Sequence, residues 1–346
     1  MATLNEIARE VGLSTSTVSK VINQRKDVSS ETRERVMAVI NRLGPPKSLR
    51  IGPDMVGIFT PIITREGIET PSPFFSMVLQ GIFDVVFDYG LNLEIVSVQH
   101  MPKNENEFSM FCRDHRTCAA IYVLTTDQDD FIIPFSRIVP TVAVGAKYGE
   151  DVDYVRTNNL SSGRKAVQYL LELGHQRIGV VTNDLRYIDH RERIDGYRAA
   201  LRDAGFNADT LPMLDVQYLA NKMIGIIDWL SDLRRGPEPP TAIVATNDLV
   251  AMHTLEALRA MGLSVPGDIS LVGHDDDPIS TYLDPPLTTI RQYNREMGRQ
   301  AVKRLLQMLN GQALEDRDRG IILEGDLVVR RSCRRLEAEA NTDVTV

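Results

Sequence analysis

The sequence predicts two architectures in one chain: an all-α head of three short helices, then a larger α/β body of two lobes built on parallel sheets. Three observations carry this reading. The first fifty residues place helix-capping residues around apolar positions spaced three and four apart. Farther along, short apolar runs alternate with amphipathic segments, the pattern of strands covered by helices. The length, 346 residues, exceeds what one compact core of ordinary size accommodates.

In the head, Leu4, Ile7, Ala8 and Val11 share one face, with Thr3 placed as a cap and Gly12 just beyond. Ser14 caps a second helix with Val18, Val21 and Ile22 inside and Thr15, Ser16, Ser19 and Lys20 outside. A third follows Ser29 and Ser30, carries Glu31 in its first turn, buries Val36, Val39, Ile40 and Leu43, and stops at Gly44-Pro45-Pro46. Two helices joined through a glycine-containing turn and braced by a third make a helix-turn-helix, whose second helix enters the major groove. Its outer face offers hydroxyls and one cation but no acid, which suits phosphate oxygens and base-edge acceptors. The pattern alone leaves open a purely structural three-helix module.

Charge is divided along the chain. The net charge is -8, yet residues 1–50 carry nine Lys and Arg against five acids, and the remainder 30 against 42. A basic head on an acidic body is compatible with meeting a duplex by one end. The sequence has no apolar run of bilayer-spanning length and no secretory signal pattern at its start, which predicts a cytoplasmic protein. Cys112, Cys118 and Cys333 are expected to stay reduced. The run from Cys112 through His115 to Cys118 matches no usual zinc spacing and lacks a fourth ligand, so no metal is expected.

In the body, strands are predicted at 55–59, 93–98, 120–124, 178–181, 242–245 and 269–272, and helices at 76–89, 161–173, 191–204, 248–261 and 295–310. Ligands of open parallel sheets bind beyond the carboxyl ends of the strands. The segments there hold Phe74 and Phe75, Asn183, Thr246-Asn247-Asp248 and His274-Asp275-Asp276-Asp277. Amides, carboxylates, a hydroxyl and aromatic faces can grip a polar small molecule such as a sugar. No glycine-rich phosphate loop opens a helix, so no nucleotide cofactor is expected. His274 with its three acids makes the strongest case for a hydrolase. Adjacent acids in a loop point in different directions, however, and neither a nucleophile elbow nor a second histidine at ligand spacing accompanies them, so no enzyme is expected. A solute-binding protein without DNA function would share the body but have no use for the head.

The run from Thr3 to Asn23, followed by Val28 to Val36, resembles the DNA-binding head of the lactose/galactose-repressor (LacI/GalR) family. In the body, Leu171-Glu172-Leu173-Gly174-His175, Arg193-Ile194-Asp195-Gly196-Tyr197, Thr246-Asn247-Asp248 and Val265-Pro266-Gly267-Asp268 extend the resemblance over nearly the whole chain. It implies a periplasmic-binding-protein-like body and a sequence-specific transcriptional regulator, a repressor, that binds operator DNA as a homodimer. A small-molecule effector, a sugar or related metabolite, would control it from between the lobes. Carried over by position, Thr15, Ser16 and Lys20 face base edges, while Thr3, Leu4, Ser19 and Asn23 hold the DNA backbone. Leu49 stands where the family wedges a leucine into the minor groove. Arg193, Asn247 and Asp275 would clamp the effector, with Ser72, Phe74 and Phe75 as the opposite wall.

The sequence departs from the family at several points. Lys20 replaces the commonest arginine, giving up the two-pronged contact to guanine. The linker after Gly44 is several residues shorter and holds two prolines. The loop at 62–71 is longer than usual, and Val216 and Tyr218 stand where many members place one aromatic. The expected division is a head and linker at 1–50, a first lobe at 51–174 plus 290–322, and a second lobe at 175–289 plus 323–346. The tail from Arg334 has no leucine heptad, so a coiled-coil tetramer is not expected.

Overall fold

The structure, a computed structural model, describes residues 4–22, 28–43, 55–61, 63–64, 67–68, 73–89, 91–98, 101–126, 129–217, 219, 221–311 and 319–336. The chain divides into two compact units, one of which holds the head. There α1 (Leu4–Val11), α2 (Thr15–Ile22) and α3 (Ser30–Leu43) form where their caps predict. Gly12 ends α1 in the left-handed conformation, φ +73, which costs glycine no Cβ clash. Ser14 Oγ accepts from the Thr17 amide at 3.1 Å and Ser29 Oγ from the Thr32 amide at 3.2 Å. Ile7, Ala8, Val11, Val18, Val21 and Val36 bury together. Arg33 donates to the Val21 carbonyl at 3.2 Å and Arg35 to the Val11 carbonyl at 3.0 Å, so α3 satisfies the open carbonyl ends of α2 and α1. The side chains of Ile22, Ile40 and Leu43, and the stop at Gly44-Pro45-Pro46, lie outside the described residues.

Two six-stranded sheets build the body. The first contains β1 (Met55–Thr60), β4 (Asn92–Ser97), β5 (Thr117–Val123), β6 (Thr141–Val144), β7 (Asp153–Thr157) and β13 (Ile321–Leu323). The second contains β8 (Ile178–Thr182), β9 (Met213–Asp215), β10 (Ala242–Ala245), β11 (Ser270–Asp275), β12 (Thr288–Arg291) and β14 (Asp326–Val328). A small hairpin of β2 (Ile63–Thr64) and β3 (Gly67–Ile68) lies within the long loop after β1. Numbered by its own chain order, each large sheet reads second, first, third, fourth, fifth, sixth from one edge to the other. The second sheet is parallel from β9 to β12, but its edge strand β14 runs antiparallel to β12.

The helices are α4 (Pro73–Val86), α5 (Glu105–Asp114), α6 (Ile132–Phe135), α7 (Asn159–Glu172), α8 (Ile188–Asp203), α9 (Lys222–Arg235), α10 (Asp248–Ala260) and α11 (Asn294–Leu309). None among the described residues is long and apolar enough to cross a membrane. α7 packs on α8, and α4 on α11. Both pairs meet through reciprocal glycines: a Cβ on Gly163 would strike the Arg193 carbonyl and one on Gly196 the Leu160 carbonyl, while Gly81 and Gly298 abut the Arg295 and Val78 carbonyls. The first lobe's core is aromatic, with Phe59, Phe108, Tyr122 and Phe135 buried beside Cys112. The second lobe's sheet is covered by aliphatic clusters on either side.

The packing of α7 moves the first lobe boundary. The division expected at 174 put this helix in the first lobe, yet α7 lies against α8 and its Ala166, Val167 and Leu170 share a core with Ile178 and Val180 of β8. The chain therefore passes to the second lobe between Thr157 and Asn159, because the apolar face of α7 is buried there. It returns between Arg291 and Asn294, and crosses a third time between Leu323 and Asp326. Two crossings are laced together: the Asn158 amide donates to the Leu323 carbonyl at 2.8 Å and its side chain to Glu324 at 2.6 Å.

Candidate functional site

In the second lobe, the strand ends converge on one guanidinium. Arg193, on the second turn of α8, is 2% exposed. Its Nε donates to Asn159 Oδ1 at 2.9 Å and its Nη1 to the Thr246 carbonyl, just past β10, at 2.5 Å. Asp189 lies 3.4 Å from Nη2 and Asp275, at the end of β11, 3.6 Å from Nη1. Such a group is retained in a low-dielectric site only with its donors met and its charge opposed. Asn247 caps α10, accepting from the Val250 amide at 2.8 Å while its own amide donates to Asn183 at 2.9 Å. The cap is a structural role, and it holds the Asn247 amide at the end of β10 beside Asn183.

Backbone conformation marks the same rim. Of the five non-glycine residues with positive φ among those described, Leu124 follows β5, Asp184 lies just past β8, and Asp275 (φ 120) and Asp276 (φ 55) end β11. Residues held in such conformations cluster where a fold aims functional groups. The turn sends the Asp275 and Asp276 carboxylates to different partners. Asp275 accepts from Gln292 at 2.5 Å, and Asp276 from Arg291 at 2.7 Å and Arg330 at 2.5 Å. The Asp277 amide donates to the buried Asp248 at 2.9 Å. His274 is fully buried, and burial, reinforced by Arg193 and His190, holds its imidazole neutral. No group of three His, Cys, Asp or Glu among the described residues is arranged to hold a metal.

Burial also sets the carboxyl acidities. It raises Asp275 to about 6 against the opposing pull of Arg193 and the Gln292 hydrogen bond. Asp277 is pushed to about 8 by burial and then by Asp275 and Asp276, and Asp248 well above the usual range. Near neutral pH the charge at this rim therefore rests on Asp275 rather than on Asp248 or Asp277.

The first lobe presents a different surface. Phe74, in the first turn of α4, reaches Gly145 past β6, where an added Cβ would sit 3.6 Å from its ring; Phe75 is buried. The Tyr148 hydroxyl lies 2.6 Å from the Thr125 hydroxyl and donates to the Thr126 carbonyl at 2.9 Å, closing the loop after β5. Ser72 and Tyr218 lie outside the described residues, as does part of the loop at 62–71. Sequence reasoning had not singled out Tyr148, Asn159, Asp189 as a site residue, or Gln292.

In the head, Thr15, Ser16 and Lys20 are exposed on α2, as their positions predict. Leu4 lies on α1 and Ser19 on α2, but their side chains are not described, and Thr3, Asn23 and Leu49 lie outside the described residues.

A helix-turn-helix with a hydroxyl-rich, cationic outer face, followed by twin parallel-dominated sheets joined by three crossings, defines a class: DNA-binding regulators with a small-molecule-binding body. Residues 3–44 match the bacterial regulatory proteins of the lacI family, and residues 167–333 the periplasmic binding protein-like domain. The ribose operon repressor of Escherichia coli (strain K12) is 31% identical over 319 residues, covering 91% of this chain and 95% of that protein. Among solved structures, the complex of transcriptional regulator CelR with cellobiose is 27% identical with a TM-score of 0.66, over 96% of this chain and 100% of the other. The lac repressor dimer bound to operator and the anti-inducer ONPF is 25% identical with a TM-score of 0.66, over 96% and 99%. The chain belongs to the lacI family of bacterial regulatory proteins.

Proposed function

We propose that this protein is a cytoplasmic, non-enzymatic repressor whose affinity for operator DNA is set by a sugar or related metabolite bound at the strand ends between the lobes. The observation that carries the reading is the buried Arg193 guanidinium, held at once by Asn159, Thr246, Asp189 and Asp275. An enzyme reading finds no support in the 275–277 run, because the Asp275 and Asp276 carboxylates are engaged by Gln292, Arg291 and Arg330. Arg193, Asn247 and Asp275 would contact the effector from the second lobe, and Ser72, Phe74 and Phe75 from the first. The lobes would comprise roughly the first and second sheets with their helices, and the head residues 1–50. In the head, Thr15, Ser16 and Lys20 would meet base edges; Thr3, Leu4, Ser19 and Asn23 the phosphates; and Leu49 the minor groove.

Support comes from relatives: one is named a repressor, one is in complex with cellobiose, and one is a dimer on its operator. A dimer on a roughly palindromic site follows from the few base pairs one head can read. Effector and operator would be coupled by about 1–3 kcal/mol, the usual scale for such switches. A thermal-shift screen of sugars, followed by gel shifts with and without each hit, tests the reading. A hit that changes operator affinity supports it; hits without effect on DNA binding would leave only a metabolite-binding module. Lys20→Ala should weaken operator binding by about 1–3 kcal/mol, most strongly on the preferred sequence.

A further inference from the structure

We propose that the effector carries no anionic group: the site is built for a neutral polyhydroxyl ligand, and Asp189 and Asp275 exclude phosphorylated and carboxylated sugars. This rests on the reading of the strand-end crevice as a sugar site and narrows it.

Recognition of a phosphate or carboxylate needs an available cation or an unopposed helix N-terminus. Arg193 offers neither fork of its guanidinium. Nε and Nη1 are committed to Asn159 and the Thr246 carbonyl, and Asp189 and Asp275 flank Nη2 and Nη1 at 3.4 and 3.6 Å. Two carboxylates therefore answer one positive charge before any ligand arrives. Other cations of this rim among the described residues are likewise engaged, Arg191 by the Leu185 carbonyl at 2.5 Å and the following ones by acids. Arg186 is paired with Asp184 at 2.7 Å, Arg156 with Glu192 at 2.6 Å, and Lys147 with Glu150 at 2.8 Å. Asp276 takes both Arg291 and Arg330.

The nearest imidazoles add no positive charge, since burial holds both His190 and His274 below their ordinary range. The N-terminus of α8 is answered too, because that helix carries Asp189 in its own first turn. From the first lobe, Asp129 joins Asp184 and Asp189, with Arg186 opposing them, in the electrostatic surroundings of Tyr187. What remains for a ligand is a set of acceptor oxygens, the single N–H groups of Arg193 that are not yet committed, and the Asn183–Asn247 amides, the partners of hydroxyl groups. An anion entering here would face two carboxylates with no counter-charge to release.

The test uses the full-length protein and matched pairs: D-ribose with D-ribose 5-phosphate, D-glucose with D-glucose 6-phosphate and D-gluconate, and cellobiose with cellobionate. Thermal shift and titration calorimetry are expected to show the neutral member of a binding pair at least about a hundredfold tighter than its anionic partner. Asp189→Asn should narrow that ratio by about fivefold or more, whereas Asp189→Glu, which keeps the charge, should preserve it. An anionic sugar that binds as tightly as its neutral partner, or a ratio unchanged in D189N, would overturn the inference while leaving the sugar reading intact. A panel silent throughout, with operator binding intact, would remove the sugar reading and this inference with it.

Discussion

In the first lobe, Asp84 sits where α4 meets α11 and accepts two hydrogen bonds from Arg295, each 2.7 Å, and one from Arg299 at 2.8 Å. Chiefly through Arg295, its carboxyl is held down to about 2. In the second lobe, Asp275 is raised to about 6 and Asp277 to about 8, chiefly by burial. Yet the two lobes share one strand order and one device for close helix packing. The same scaffold thus carries a solvated ion-pair network that fastens two helices in one copy and a buried cluster of acids around one guanidinium in the other. The difference lies in where the acids stand: on an outer helix face, or in the strand-end turns where the backbone takes positive φ.

The largest test of that contrast is Arg193→Met. Removing one side of a buried pair leaves Asp275 and Asp189 without counter-charge and the Asn159 and Thr246 oxygens without a donor. The loss expected is about 3–5 kcal/mol of stability, together with the effector response. An R193M protein of unaltered melting temperature would show the second lobe's charges to be as replaceable as those around Asp84. Next come the paired glycines. Gly81→Ala and Gly163→Ala should each cost about 1–3 kcal/mol by forcing helices apart, but only G163A, which presses on the Arg193 backbone, should also weaken the effector. Equal ligand affinity in both would erase the distinction between the lobes.

Acidity gives a third test. A carboxyl with a raised folded value binds protons more tightly in the native state than in the unfolded chain, so its contribution to stability falls as pH climbs through the window. Lowering pH from 9 to 6 should therefore stabilise the body through Asp277 by on the order of 1 kcal/mol. Effector affinity should do the reverse, dropping below about pH 6 as Asp275 takes up a proton and ceases to be a full acceptor. Calorimetry across that range in which both quantities move together would exclude Asp275 as the ligand's partner. The smallest effect is expected from Phe74→Ala in the aromatic wall, about 0.5–1 kcal/mol in effector binding with no change in its pH profile.

Residues that announce themselves locally were readable in the sequence. Ser14, Ser29 and Gly12 marked the head's helix ends by chemistry that acts within four positions, and the apolar runs of β1, β5, β8 and β10 could belong to little but buried parallel strands. β7 escaped because Asp153-Tyr154-Val155-Arg156-Thr157 is no apolar run. Its buried acid is tolerated only because Arg304, far along the chain, reaches it at 2.6 and 3.1 Å. α5 escaped for a similar reason, with only Phe108 and Cys112 buried among its ten residues. In the site, the Arg193, Asn247 and Asp275 positions were legible through the family pattern. Asn159 and Gln292 were not, because each acts from a crossing whose place depends on how the sheets pair. The first lobe boundary was misplaced likewise, since nothing local in α7 says which sheet it will cover.

The lacing of Asn158 to Leu323 and Glu324 has a mechanical consequence. Ser161 and Lys165 also bond to Glu324, and Lys165 to the Gly325 carbonyl, so two of the connecting strips form one stiff band. Glycine at 325 is what allows the strips to lie so close, since a Cβ there would come within 2.7 Å of the Ser162 hydroxyl. Any twist of one lobe against the other must be borne by that band as a unit. The remaining strip, which carries Gln292 against Asp275 and leads into the start of α11, is tied to that band as well, because the Tyr293 hydroxyl donates to Asp326 at 2.5 Å.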